Sequence, residues 1–229
     1  MPPLAVSDAV HIELGRVSLE GDLEVPASAA GLVIFAHGSG SGRFSRRNRA
    51  VAQWLRRAGF GTLLLDLLTR QEEIEDQRTL EYRFDISMLG RRVIAAADWT
   101  RLRDDLTALP LALFGASTGA AAALIAAAAR PLITSAVISR GGRPDLADNA
   151  LERVTSPTLL IAGGADGPVI ELNRYAMRRM RAPVELEIVP GATHLFEEPG
   201  ALDEVARLAA DWCRRHLARP SASPANAHA

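Results

Sequence analysis

Six continuous apolar runs of strand length constrain this chain more than any other feature: Leu32–Ala36, Thr62–Leu65, Leu111–Phe114, Ser135–Ile138, Thr158–Ala162 and Val184–Val189. Each is bounded by Gly, Pro, Asp or Ser. Apolar at consecutive rather than alternate positions, they predict strands buried on both faces, as in a parallel sheet. Helical patterns lie between them. Arg46–Ala58 carries Val51, Trp54, Leu55 and Ala58 at helical spacing, and Asp85–Leu106 sets Ile86, Leu89, Val93 and Ala97 on one face. Thr118–Ala129 is apolar all round, as expected of a helix buried against the sheet, and Asn173–Met180 and Leu202–Leu217 complete the set. Strand and helix in alternation give an open, doubly wound, mostly parallel α/β sheet. Two alternating segments at the start, Val10–Leu14 and Val17–Val25 around Gly15 and Arg16, predict an antiparallel hairpin at its edge.

With 229 residues, 48% of them hydrophobic, the chain can bury one substantial core. A single domain is expected over residues 1–219, and the Pro/Ser/Ala/Asn-rich residues 220–229 read as a disordered tail. No insertion is long enough to form a separate cap domain. The one sizeable excursion, Leu67–Arg83, holds Glu72, Glu73, Glu75, Asp76 and Glu81 and reads as a surface segment or short helix at the mouth of the sheet. A formal net charge of −1 gives no global electrostatic reason to bind nucleic acid or an anionic membrane. The lone Cys213 excludes an intramolecular disulfide and a multi-cysteine zinc site. No basic segment followed by a long apolar run opens the chain, and Ala120–Ala129 is too short to cross a bilayer. The expectation is a cytoplasmic protein acting on a small molecule, with no cofactor, metal, nucleic-acid or membrane partner; a homodimer is compatible with it.

The chemistry starts at Gly115-Ala116-Ser117-Thr118-Gly119. A G-x-S-x-G pentapeptide alone is weak, but this one follows a buried strand directly and opens a buried helix. That is the context of a nucleophile elbow, where a sharp turn exposes the serine hydroxyl above the sheet. The alternative is a glycine-rich turn whose serine only caps the helix. A serine nucleophile needs a base and the base an orienter. His11, His216 and His228 lie in the first hairpin, the last helix and the tail, and His37 precedes the serine in a loop with another role. His194, in Pro190-Gly191-Ala192-Thr193-His194 after a late strand, remains as the base. Asp166, in Gly163-Gly164-Ala165-Asp166-Gly167 at a strand end, is favoured as orienter over Asp145 and Asp148.

His37-Gly38-Ser39-Gly40-Ser41-Gly42 follows the strand Leu32–Ala36 and precedes a helix. Its glycines let backbone N–H groups turn inward, so the N–H of Ser39, with that of Thr118, is expected to hold a tetrahedral oxyanion. A phosphate-binding P-loop is excluded, because the chain has no lysine, and G-x-G-x-x-G fails at Arg43. Arg43 and Arg140 are candidates to grip a substrate carboxylate; internal salt bridges are the alternative. The cluster Arg43, Arg46, Arg47 and Arg49 reads as a solvated helix face.

The chain order Ser117, Asp166, His194 and the oxyanion loop resemble the α/β-hydrolases over nearly the whole sequence. The short length, the HGSGSGR loop, Asp66-Leu67-Leu68-Thr69 and the GGADGPVIELN run (Gly163–Asn173) are similar to the dienelactone-hydrolase-like group. Dienelactone hydrolases proper use a cysteine nucleophile; Ser117 stands in that place here, and Cys213, inside the last helix, cannot substitute. The resemblance implies an α/β-hydrolase fold and a cofactor-independent serine hydrolase of small carboxylic esters. Thioesters, lactones and C–C bonds are alternatives for the same machinery. A non-catalytic binding module on a hydrolase scaffold is the alternative from another class.

Overall fold

In the computed structural model, which describes residues 3–217, one eight-stranded sheet carries helices on both faces. The strands are β1 (Leu4–Leu14), β2 (Val17–Pro26), β3 (Leu32–Ala36), β4 (Gly61–Leu65), β5 (Leu111–Ala116), β6 (Thr134–Arg140), β7 (Thr158–Gly163) and β8 (Val184–Val189). Their order in the sheet is β1-β2-β4-β3-β5-β6-β7-β8. The hairpin β1–β2 joins β4 antiparallel, and every later pairing is parallel. The proposed tail, residues 220–229, lies outside the described residues, as does His228.

Alternate residues of the central strands feed two cores. Ile34, Leu63, Leu113 and Val137 face α3 (Ile86–Arg101) and α4 (Thr118–Ala129). Val33, Phe35, Phe114 and Ile161 face α1 (Arg46–Arg57) and α6 (Ala201–His216). Two further helices are α2 (Arg70–Thr79) and α5 (Gly167–Arg179). The excursion after β4 is therefore largely helical. Thr69 and Glu72 cap α2 reciprocally, each side chain accepting the other's backbone N–H.

Several expectations need correction; the helix expected over Asn173–Met180 already begins at Gly167, as α5. The helix predicted to run to Leu106 ends at Arg101; Leu102 then points to solvent, 84% exposed, while a turn carries Leu106 and Leu109 back into the core. The face of α1 that packs inward is Asn48, Val51, Ala52 and Leu55, and Trp54 lies outside it. β8 is a half-exposed edge strand whose Glu185 and Glu187 alternate with apolar neighbours, so it is not buried on both faces.

Register fixes the site. Ala36 pairs with Gly115, Ala116 with Arg140, Arg140 with Ile161 and Gly163 with Val189. The carboxyl ends of β3, β5, β6, β7 and β8 thus reach one edge, where open α/β sheets place their ligands.

Candidate active site

Ser117 sits between β5 and α4 with φ +49°, a conformation that a residue with a Cβ adopts only when its surroundings impose it. Those surroundings tolerate only glycine on either side. A Cβ on Gly115 would stand 2.3 Å from Ala120 Cα, and one on Gly119 would stand 2.3 Å from the carbonyl oxygen of Ala36. The elbow is therefore wedged between its own helix and β3. Its serine side chain makes no cap hydrogen bond to α4, which removes the helix-capping alternative.

His194 and Asp166 are brought together by backbone hydrogen bonds between their loops. Gly164 N–H donates to Val189 O at 2.8 Å and Ala165 N–H to Ala192 O at 2.9 Å. His194 Nδ1 then lies 2.8 Å from Asp166 Oδ2, and His194 and Ser117 open onto the same cavity of about 220 Å³. The carboxylate fixes Nδ1 as the protonated nitrogen and leaves Nε2 as the acceptor. The rival carboxylates are engaged elsewhere: Asp145 accepts two hydrogen bonds from Arg143 at 2.9 and 2.8 Å, and Asp148 pairs with Arg179. His11 is on the outer strand β1, and His216 packs on Trp212 with ring centroids 4.3 Å apart and planes tilted by 54°. Cys213 is buried in α6, and burial pushes its thiol up to about 12.

The glycine loop after β3 closes on the elbow. A Cβ on Gly38 would come within 2.9 Å of Ser117 Cβ, and Ser39 Oγ lies 3.0 Å from Thr118 Oγ1. Ser39 and Thr118, the two expected oxyanion donors, are thereby tied to each other. His37 anchors the start of this loop. Its Nδ1–H donates to Gly38 O at 2.9 Å, and its Nε2 accepts the N–H of Leu67 at 2.8 Å. Burial lowers its pKa, so both hydrogen bonds are those of the neutral ring. Arg43 anchors the other end through Asp66, Glu20 at 2.6 Å and Asp22 at 3.3 Å. This candidate for a substrate carboxylate is thus occupied by carboxylates of the chain.

On the far side of the loop lies a second cavity of about 200 Å³, roofed by α2 and lined by Leu67, Leu68, Leu89, Glu73 and Gln77. Arg83 pins that roof. It pairs with the buried Asp76 at 2.5 Å, and its guanidinium packs against Gly40. Among the described residues, no group of three or more His, Cys, Asp or Glu side chains is placed to hold a metal ion, and no helix is long and apolar enough to cross a membrane.

Two residues of the first cavity, Arg47 and Asn48, escaped the sequence reading, which assigned their segment to a solvated face. Asn48 is only 2% exposed, and both line the space beside Ser117. The signal was available: a polar residue heading the apolar stripe Val51, Ala52, Leu55.

Comparisons with known proteins agree with this architecture. A dienelactone hydrolase from Anabaena variabilis is 52% identical and superposes with a TM-score of 0.90, over 92% of this chain and 98% of its own. Est1E from Butyrivibrio proteoclasticus, 18% identical with a TM-score of 0.75 over 90% of this chain and 98% of its own, shares the fold. The Mycobacterium tuberculosis protein named "Putative phosphoribosyl transferase Rv0571c" is 51% identical over 222 residues, which are 97% of this chain but 49% of that protein. The chain thus spans about half the length of that relative. Residues 19–218 match the dienelactone hydrolase family as a whole. With its fold, its elbow and these matches in place, the chain belongs to the dienelactone hydrolase family, with the α/β-hydrolase fold and a serine at the elbow.

Proposed function

We propose that this protein is a serine hydrolase of small carboxylic esters, working through an acyl-enzyme on Ser117. The observation that carries the reading is one cavity onto which a strained, uncapped serine and a carboxylate-oriented histidine both open. Ser117 Oγ attacks the ester carbonyl while His194 Nε2 takes its proton. Asp166 holds the ring and stabilises the imidazolium that forms. The tetrahedral oxyanion is received by the N–H groups of Ser39 and Thr118, the latter in the first turn of α4, where the helix favours negative charge. His194 then protonates the leaving alcohol, and water releases the acyl group by the same steps in reverse. In this reading Arg43 holds the oxyanion loop and Arg140 is the cation that faces the substrate.

Lactones are cyclic esters and enter by the same route, as the family's description suggests. The transferase description belongs to a relative about twice this length, and the arrangement of Ser117, His194 and Asp166 supports ester cleavage instead. The test is covalent. A fluorophosphonate probe should add one label, at Ser117, and Ser117→Ala should abolish it. Labelling elsewhere with Ser117 untouched would remove the nucleophile from this scheme.

A further inference from the structure

The cavity beside Ser117 and His194 carries more positive charge than its own carboxylates answer. Arg140, at the end of β6, is 6% exposed, yet among the described residues no carboxylate pairs with it. Its guanidinium donates one hydrogen bond, from Nη2 to the neutral Asn48 Oδ1 at 3.2 Å, lies 6.0 Å from the centre of the Phe196 ring, and has its Nε buried without a hydrogen-bond partner. Burial, with the charge of Arg47 beside it, pushes the guanidinium down to about 10, so it stays charged at neutral pH. Arg47 lines the same cavity and also has a buried Nε without a partner; its Nη1 reaches outward to Glu197 at 3.1 Å. Ser45, Arg47 and Asn48, the cap and first turn of the 12-residue α1, complete the wall; Ser45 Oγ takes the Asn48 N–H at 3.3 Å, which leaves the N–H groups of Arg46 and Arg47 outside that cap, and the first turn holds no acidic residue.

Each of these features opposes folding. A buried cation lacks a counter-ion, two like charges are adjacent, and a cationic side chain sits at the positive end of a helix. One anion in the cavity would answer all three. The donors come from three directions: the end of β6, the flank of α1 and its amino terminus. A planar carboxylate meets one guanidinium in its own plane. A phosphate, with three free oxygens and a charge near −2, can accept from all three. We propose that this cavity is an oxoanion subsite and that the ester cleaved at Ser117 carries a phosphate group there, bound by Arg140, Arg47 and the amino end of α1. The phosphate is held and not transferred. The substrate class rests on the serine-ester reading above; the subsite itself does not.

Three acetyl esters with the same scissile bond test it: 2-acetoxyethyl phosphate, 3-acetoxypropionate and the neutral 2-methoxyethyl acetate. The kcat/KM for the phosphate ester should exceed both others by at least about tenfold, the weight of a charge-assisted hydrogen-bond pair. Arg140→Met should collapse that ratio towards unity. So should Arg47→Gln, whose partly exposed side chain makes it the safer variant for folding. Calorimetry with inorganic phosphate should show binding to the wild-type protein, weakened in Arg47→Gln. Equal rates on the phosphate and neutral esters, with no phosphate binding, would overturn the subsite. A preference for 3-acetoxypropionate would overturn the phosphate assignment. Phosphate binding without cleavage of any ester would uphold the subsite and overturn the esterase reading.

Discussion

Replacing Asp166 with Asn isolates the orienting charge, because it changes one oxygen to nitrogen and little else. In the wild-type site, Asp166 Oδ2 and His194 Nδ1 are 2.8 Å apart, and the charge centres of carboxylate and imidazolium then lie roughly 4 Å apart. The Asp166 side chain is 14% exposed and that of His194 39%, so an effective dielectric near 20 is appropriate and screening by solvent reduces the result further. Coulomb's law then gives at most about 4 kcal/mol of stabilisation for the imidazolium formed in the transition state, or about 10³ in rate. The amide can also turn its NH₂ group towards Nδ1, which forces the ring proton onto Nε2 and leaves no base facing Ser117. The same substitution in a well-studied serine protease costs about 10⁴. The expected loss is therefore on the order of 10³ to 10⁴ in kcat, with KM for 4-nitrophenyl acetate nearly unchanged. Thermal unfolding should confirm an intact fold, and the fluorophosphonate labelling rate should fall with kcat. Asp145→Asn and Asp148→Asn are the controls, since those carboxylates serve Arg143 and Arg179. If either control loses as much activity while Asp166→Asn stays near wild type, the orienter has been misassigned.

The second cavity, of about 200 Å³ with Glu73 and Gln77 among its lining, should favour acetyl to butyryl esters over those of about twelve or more carbons; kcat/KM that climbs steadily by the worth of each buried CH₂, ~0.8 kcal/mol, would show that an apolar tunnel runs beyond it. Gly119→Ala forces a Cβ to 2.3 Å from Ala36 O and 2.5 Å from His37 O, so it should lower Tm by about 10 °C or prevent folding, whereas Gly167→Ala, with nothing within 4 Å, should leave Tm within about 2 °C. His37 is held neutral by burial, so its folded pKa lies below its unfolded value of about 6.5. Its contribution to stability is complete above that value and is lost as pH falls towards the folded pKa. Tm should therefore drop between about pH 7.5 and pH 5, and His37→Asn should flatten that part of the profile; an unchanged slope would refute the assignment.

Much of the fold was legible because parallel strands buried on both faces leave an uninterrupted apolar record. Val184–Val189 was found with its limits intact, yet its place at the edge was visible only in the alternating Glu185 and Glu187. Leu106 falls on the opposite side of the helical wheel from Ala97, about half a turn out of phase with the stripe of α3, and in the fold it reaches the core through a turn instead. The kinked 3-10 segment Pro144–Arg153, with Asp148 at φ +43°, buries Pro144, Ala147 and Ala150 at every third position, a trace too short to separate a 3-10 turn from a loop. The meeting of Ser117, Asp166 and His194 at one edge was legible because each is announced by glycines that a backbone approach requires. The partners of Asp145 and Asp148 were not, since Arg179 meets Asp148 from 31 residues away and only the folded chain brings them together.

The chain has arginine as its only strong cation, and the rim of the site shows what that residue does by default. Arg43 ties the oxyanion loop to Asp66 and Glu20, Arg83 ties the loop at Gly40 to Asp76, and Arg92 ties α3 to Glu72 at 2.6 Å. Arg143 does the same for Asp145 behind the elbow. Each of these guanidinium groups is half of a pair that holds a loop at the rim of the site or its roof in place, with both charges supplied by the chain. Such a pattern gives the exception its meaning. Arg140 is more deeply buried than Arg43, Arg83 or Arg143, reaches the same edge of the sheet and has an amide oxygen and the Phe196 ring, but no carboxylate, to meet it. A carboxylate at position 48 in place of Asn48 would have completed the pair, and the bare amide keeps the charge available inside the cavity that Ser117 and His194 share. The arginines around the site are neutralised by carboxylates of the fold, and Arg140, which is not, lines the cavity onto which Ser117 and His194 open.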